Sequence, residues 1–220
     1  MRTNPFNDAW DFFWGNTPDH INNLGGGLRY LFIVIFWAAL AASIWIARRN
    51  WQQDPAQRTS EHLWTYGIRV LMGCMWFQGS LWKLPLPLSG GLKFWLEEEI
   101  PHAAFRWHAW LIQHVVAPNL YILNTPIFLI EFCMGIAFIL GFMVRPAALV
   151  GILFTLQLWL GLYLHPHEWP WLYAFLIFVQ AFFIIHRAGN SLGLDALLAR
   201  NPVGPFAGDG FVARMYRRFA

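Results

Sequence analysis

Long apolar stretches separated by short polar segments run through most of the chain and predict a bundle of membrane-spanning helices. The first of them has about 20 residues, which is about 30 Å of helix and enough to cross a bilayer core. The runs are uninterrupted, and this favours helices over the alternating strands of a membrane β-barrel. Five spans are expected, at Leu28–Ala47, Leu63–Leu84, Thr125–Val144, Ala147–Leu164 and Trp171–His186.

The spans divide the chain into four regions. Residues 1–27 form an external segment, 28–62 an additional first transmembrane helix with a cytoplasmic loop, 63–195 a four-helix membrane domain, and 196–220 a cytoplasmic tail. The membrane domain includes a long external lid at 85–124, which is too long for an idle connection. Aromatic residues and a predicted helix at His102–Val116 indicate amphipathic helices that lie on the membrane or cap the bundle. The acidic run Glu97–Glu99 is expected to be a solvated helix face.

Composition supports the membrane class and excludes several others. Hydrophobic residues make up 57% of the chain and charged residues only 12%, against about 25% charged residues in soluble domains. The chain has no block of five or more basic residues, so a nucleic-acid partner is not expected. Cys74 and Cys133 lie inside apolar spans without a CxxC motif, so neither a disulfide framework nor a zinc site is indicated.

Basic residues are unequally distributed between the two ends of the spans, and this predicts the orientation. Cytoplasmic segments of membrane proteins are enriched in Lys and Arg. The protein is therefore expected in the plasma (inner) membrane with its N-terminus outside and its C-terminus in the cytoplasm. The cytoplasmic side would hold Arg48, Arg49, Arg58, Arg145, Arg187, Arg200, Arg214, Arg217 and Arg218, and the external side Arg2, Arg29, Lys83, Lys93 and Arg106.

Several polar residues interrupt the spans, and ionisable groups inside a membrane need a partner, a cavity or a ligand. Lys83 at the end of the second span is expected to reach Glu131 in the third. One interpretation is a structural ion pair whose remaining hydrogen bonds Gln78 satisfies. The other is an external pocket of Gln78, Lys83, Glu131 and His165 that holds a quinone head group or a small anion.

The second span has a polar and small-residue face at helical spacing, made of Arg69, Gly73, Trp76, Ser80 and Lys83. Its small residues, together with Gly79, would allow close helix packing. Arg69 is expected to extend towards the cytoplasmic headgroups.

Metal and haem sites are not expected from the sequence. His165, His167 and Glu168 offer a weak ligand set in a proline-rich turn, without a fourth ligand. Apart from His186 at an inner edge, no histidine lies in a span, and this argues against b-type haem.

Four features of the chain resemble the DoxX/DoxD family of membrane proteins. They are the segment Arg69–Lys83 with its early Arg and late Gly and Lys, and Glu131 followed by Gly135–Gly141 and Arg145. The third is the ending Gly189–Asp195, and the fourth is the plan of four spans with a long first connection. The resemblance implies a DoxX-like four-helix bundle, here with one extra N-terminal span.

The resemblance also implies a function. The DoxD protein is the membrane subunit of thiosulfate:quinone oxidoreductase, so we expect a subunit that couples thiosulfate oxidation to quinone reduction. Quinone would be a substrate. Since no haem, flavin or metal motif is visible, either a partner subunit would supply the redox cofactor or the quinone would be the only one. We expect Glu131, Lys83 and His165 to act in catalysis and Gln78, Trp76 and Arg69 to contact the quinone. The alternative is a non-catalytic accessory subunit of a larger respiratory or photosynthetic complex.

Overall fold

The computed structural model describes residues 4–220, with the side chains of all of these except residues 5, 18, 19 and 26. Helices joined by turns make up this range, and no strand occurs within it, so the predicted all-α class is confirmed. The α-helices are α1 (Pro5–Phe13), α2 (Pro18–Gln53), α3 (Ser60–Leu81), α4 (Gly90–His102), α5 (Arg106–Leu111), α6 (Leu120–Leu140), α7 (Val144–Gly161), α8 (Pro170–Ile185), α9 (Leu194–Arg200) and α10 (Phe211–Phe219).

Three helical segments in residues 4–220 are long and apolar enough to cross a membrane: Gly27–Gln53, Arg106–Leu140 and Val144–Gly161. The first, third and fourth predicted spans fall on them. The fifth falls on α8, a shorter apolar helix. The second falls on α3, whose polar side chains lower its hydropathy, so the count of five crossings stays a prediction.

Helices α3 and α6 pack with almost no space between their backbones. A Cβ atom on Gly73 would lie 2.6 Å from the backbone nitrogen of Ile139, and one on Gly135 would lie 2.6 Å from that of Phe77. Reciprocal glycines therefore let the two helices touch, as small residues do in membrane bundles. Gly73 was expected to allow close packing, and it does. Gly79 was expected to do the same, but this was wrong, since a Cβ there would meet nothing within 4 Å.

The long connection folds over the bundle, but its helices differ from the predicted His102–Val116. Helix α4 continues through Pro101 and ends at His102, and α5 begins after an extended Phe105. Pro118 does not end a helix. A π-helical turn at Ile112–Val116 and a short 3₁₀ turn at Ala117–Asn119 lead directly into α6. Leu92 and Leu96 of α4 are buried against this segment.

The predicted polar tail folds back as α9 and α10. Asp195 accepts a hydrogen bond from the backbone of Met143 at 2.9 Å, just before α7 begins, and another from the Tyr216 hydroxyl at 2.8 Å. Its carboxylate thus caps the N-terminus of α7, where a negative charge is favourable. Ala213 and Tyr216 of α10 are buried, so residues 196–220 are more than a solvated tail.

The glycine contact between α3 and α6 can be tested by adding one methyl group. We expect Gly73→Ala to lower the free energy of unfolding by about 1–3 kcal/mol, because overpacking a filled interface costs that much. Gly67→Ala is the matched control in the same helix, since its Cβ would meet no atom within 4 Å. Thermal unfolding of the detergent-purified variants measures both. Equal midpoints for the two would contradict the close contact.

Candidate functional site

The polar face predicted for the second span is buried in the structure. Arg69, Gly73, Trp76, Ser80 and Lys83 all lie inside the bundle. The 3–4 spacing of these residues brings them to one side of the helix, where α6 covers them. A helix with this face keeps its polar groups away from lipid.

The predicted ion pair between Lys83 and Glu131 is confirmed. Lys83 Nζ lies 2.5 Å from Glu131 Oε2, and both side chains are buried. Lys83 follows the end of α3, where its ammonium also donates to the carbonyl of Gly79 at 3.1 Å and lies 3.8 Å from the centre of the Trp82 ring. The charge therefore has a carboxylate, a carbonyl and an aromatic face around it, as a buried ammonium requires.

A cavity of about 490 Å³ lies beside this ion pair. Its walls come from α3, α4, α6, α7 and α8, and most of the residues that line it are apolar or aromatic. Pockets that bind small molecules commonly combine such walls with a few polar groups. The polar groups here are Lys83 and Glu131 on one wall and Glu99, Gln157 and Thr155 on another.

Glu99 lines this cavity, although it was not expected to. It was expected on a solvated helix face, but its side chain is buried and its Oε2 accepts a hydrogen bond of 2.6 Å from Gln157 of α7. Burial raises the pKa of the Glu99 carboxyl to about 8, despite the lowering effect of Gln157. Only the packing of α4 on α7 reveals this position, since a Glu in an amphipathic helix gives no sequence signal for burial.

Trp76 lines the same cavity with an indole donor that is not satisfied. Its Nε1 is buried and has no hydrogen-bond acceptor within residues 4–220. Buried donors are normally paired with a protein group or an ordered water molecule, so this unpaired donor distinguishes Trp76 from most buried indoles. Trp76 was expected to contact the quinone, and the structure places it in the wall of the cavity.

Gln78 was expected beside Lys83 but lies on another side of α3. The two residues are five positions apart, which separates them by about 140° around a helix of 3.6 residues per turn. Gln78 Oε1 is 2.5 Å from His20 Nε2, and both residues line a second cavity of about 450 Å³ near α1. Gln78 therefore does not complete the hydrogen bonds of the ion pair, as the first interpretation expected, and it does not line the central cavity, as the second expected.

His165 also lies apart from the predicted pocket. It follows α7, and its Nε2 is 3.6 Å from Oε2 of Glu98, the residue before Glu99 on α4. Its ring is 5.8 Å from that of Trp95, which lines the central cavity. His165 is thus a neighbour of the cavity wall, and is not among the residues that line it.

Arg69 does not extend to the headgroups as expected. Its guanidinium is fully buried and donates to the carbonyls of Phe138 and Ile139 at the end of α6, and to that of Ser191 at 3.4 Å. Carbonyls at a helix C-terminus lack partners within the helix, and a cation there is favourable. Arg69 closes the end of the bundle opposite to Lys83, and does not reach the central cavity.

Comparison of the chain with protein-family models, with curated proteins and with solved structures found no match. The resemblance to DoxX/DoxD therefore rests on the sequence features alone and stays a hypothesis.

The energetic role of the ion pair can be measured with a double-mutant cycle. We expect Lys83→Met and Glu131→Gln each to lower the free energy of unfolding by about 3–5 kcal/mol, because each leaves the other charge buried without its partner. The double variant should recover much of this loss.

Lys93 and Glu97 provide the control pair for this cycle. Their charged atoms are 3.8 Å apart and both side chains are 59% exposed, so Lys93→Met should cost less than about 1 kcal/mol. Chemical or thermal unfolding in detergent gives all four values. Additive losses in the Lys83/Glu131 double variant would show that the two charges do not interact.

Proposed function

We propose that this chain is a membrane subunit of a quinone-linked oxidoreductase and that its central cavity binds the quinone. The observation that carries the proposal is one apolar cavity lined by the buried Lys83–Glu131 ion pair and by Trp76, whose buried indole donor has no acceptor within residues 4–220. A quinone has the matching chemistry, since its ring and tail are apolar and its two carbonyl oxygens accept hydrogen bonds.

Three polar groups of the cavity would act on the quinone. The Lys83 ammonium and the Trp76 indole are donors, and both would stabilise the negative charge that develops on the oxygens during reduction. Reduction to the quinol also adds two protons. The Lys83–Glu131 pair is the charged group on the cavity wall that can pass a proton to an oxygen within hydrogen-bond reach.

The electron donor we propose is thiosulfate, which the resemblance to DoxD supports. Two thiosulfate ions would lose one electron each and join through a new sulfur–sulfur bond as tetrathionate, while the quinone takes up two electrons and two protons. A partner subunit would carry the redox relay between the sulfur anions and the cavity. A DoxX-like core of α3, α6, α7 and α8, with α2 added, fits this assignment.

An accessory role in a larger membrane complex is the second candidate, and one observation favours it. Trp171, Phe175 and Phe178 are exposed and follow helical spacing along one face of α8. Such an aromatic ridge would suit a neighbouring subunit. In this role the Lys83–Glu131 pair would be purely structural, as paired buried charges can be.

Five crossings remain our proposal for the topology, with the C-terminus in the cytoplasm of a plasma (inner) membrane. Helix α3 is about 33 Å long at 1.5 Å per residue, and its charged Arg69 is buried. Its low hydropathy therefore reflects groups that face the protein. Of the basic residues counted for the orientation, Arg2 lies outside the described residues.

The quinone site can be tested by filling the cavity. We expect Gly79→Leu to weaken binding of a short-chain quinone at least about tenfold, because Gly79 lines the cavity and has room for a side chain. Trp76→Phe should weaken binding less, by the loss of one donor. Intrinsic tryptophan fluorescence quenching by the quinone in detergent measures the affinities.

Gly67→Leu is the matched control, since Gly67 also has free space around it but does not line the central cavity. Glu131→Gln, assayed under conditions where it remains folded, should abolish thiosulfate-dependent quinone reduction by membranes that contain the partner subunits. Equal quinone affinity for wild type and Gly79→Leu would overturn the cavity assignment. Binding without any Glu131-dependent turnover would favour the accessory role.

The topology predicts where reporters are active. A fluorescent protein fused after Ala220 should fluoresce, and alkaline phosphatase fused there should be inactive, because we place this end in the cytoplasm. The same reporters inserted after Asp54, between α2 and α3, should behave in the same way, whereas those inserted at Leu86 should show the reverse pattern. Identical behaviour at Asp54 and Leu86 would exclude a crossing by α3.

A further inference from the structure

Three side chains of the types that bind metal ions, one Glu and two His, lie close together beside the central cavity. Glu98 and His102 lie one turn apart on α4, and His165 comes from the turn after α7. Each offers one ligand atom, and the three atoms lie within 4.8 Å of one another. All three residues are half-buried, so they lie at the boundary between the helices and solvent.

The backbone holds the two ends of this cluster together. The amide of Leu164 donates to the carbonyl of His102 at 2.9 Å, and the amide of Ala104 donates to the carbonyl of Leu160 at 2.8 Å. These two hydrogen bonds tie the end of α4 to the end of α7. His165, one residue beyond Leu164, is therefore fixed next to His102, and their rings are 4.7 Å apart.

The contacts among the three side chains are wider than hydrogen bonds. Glu98 Oε2 is 3.5 Å from His102 Nδ1 and 3.6 Å from His165 Nε2, whereas a direct hydrogen bond would bring such atoms to about 2.7–3.2 Å. Ligand atoms around a tetrahedral zinc ion at about 2.0–2.1 Å are about 3.4 Å apart. The 3.6 Å between Glu98 Oε2 and His165 Nε2 thus suits a shared ion better than a direct bond. His102 would bind the ion through Nε2, the other nitrogen of the ring whose Nδ1 lies 3.5 Å from the carboxylate.

His102 is also oriented as a metal ligand would be. Its Nδ1 donates to the carbonyl of Glu98 at 2.7 Å, and this leaves Nε2 with the free lone pair. Metal-binding histidines almost always donate their other nitrogen to such a carbonyl or carboxylate. His165 needs a change of tautomer to bind through Nε2, because its Nδ1 accepts from the amide of His167, but that bond is long at 3.3 Å.

We propose that Glu98, His102 and His165 bind one divalent first-row transition metal ion. Two imidazoles and one carboxylate form a ligand set that zinc and iron both accept, and three protein ligands leave a position open for water or a solute. This set replaces the one considered from sequence, since Glu168 accepts from the Tyr173 hydroxyl at 2.8 Å. The proposal is independent of quinone binding.

Metal titration of the purified chain tests the site. We use full-length protein in detergent, purified without a polyhistidine tag, treated with chelator, and titrated with Zn²⁺ in a calorimeter. The wild type should bind about one equivalent. His102→Gln, His165→Gln and Glu98→Gln should each weaken binding at least about tenfold, since even the loss of a residue that only orients a ligand costs about 10–100-fold.

His114→Gln is the control, because His114 is exposed and belongs to another part of the lid, where its ring stacks on Trp110. It should bind Zn²⁺ as the wild type does. Wild-type protein loaded with Co²⁺ should show the intense visible absorption of a four- or five-coordinate ion, a measurement that needs no variant to fold. A wild type without a saturable site, or a Co²⁺ spectrum like that of the hydrated ion, would overturn the proposal.

Discussion

The whole architecture depends on one constraint, that charged groups inside an apolar bundle must find partners within the protein. Lys83 and Glu131 meet this constraint with each other at 2.5 Å, and Arg69 meets it with carbonyls at the end of α6. Both solutions require α3 and α6 to touch, since the ion pair and the guanidinium contacts bridge these two helices. The glycine contact at Gly73 and Gly135 provides this proximity, so close packing and charge pairing stabilise the same interface.

The two ends of the bundle use their buried charges differently. At one end, the hydrogen bonds of Arg69 and Asp195 connect the helix termini to the folded tail. At the other end, α4 covers the bundle without filling it, and a cavity of about 490 Å³ remains between the cover and the ion pair. A chain that tolerates an open space beside buried charges has a place for a guest molecule, which is the basis of the proposed quinone site.

Helix α4 connects the two proposed sites through adjacent residues. Glu99 turns into the cavity and pairs with Gln157, whereas Glu98 turns away towards His102 and His165. Consecutive helical positions differ by about 100°, so one short helix presents neighbouring carboxyls to two different environments. The hydrogen bonds between the ends of α4 and α7 fix both at once. An ion bound by Glu98 would therefore hold in place the cover that carries Glu99.

The sequence by itself determined the helical class, the positions of the five long apolar helices, the polar and small-residue face of α3 and the pairing of Lys83 with Glu131. These follow from hydrophobic length, from helical spacing and from the cost of an unpaired charge in an apolar environment. Only the tertiary structure decided the direction of Gln78, the burial of Arg69 and Glu99, and the meeting of Glu98 and His102 with His165. Each of these depends on which helices pack against each other. The residues in contact are more than fifty positions apart in the chain, so no local sequence pattern predicts that they meet.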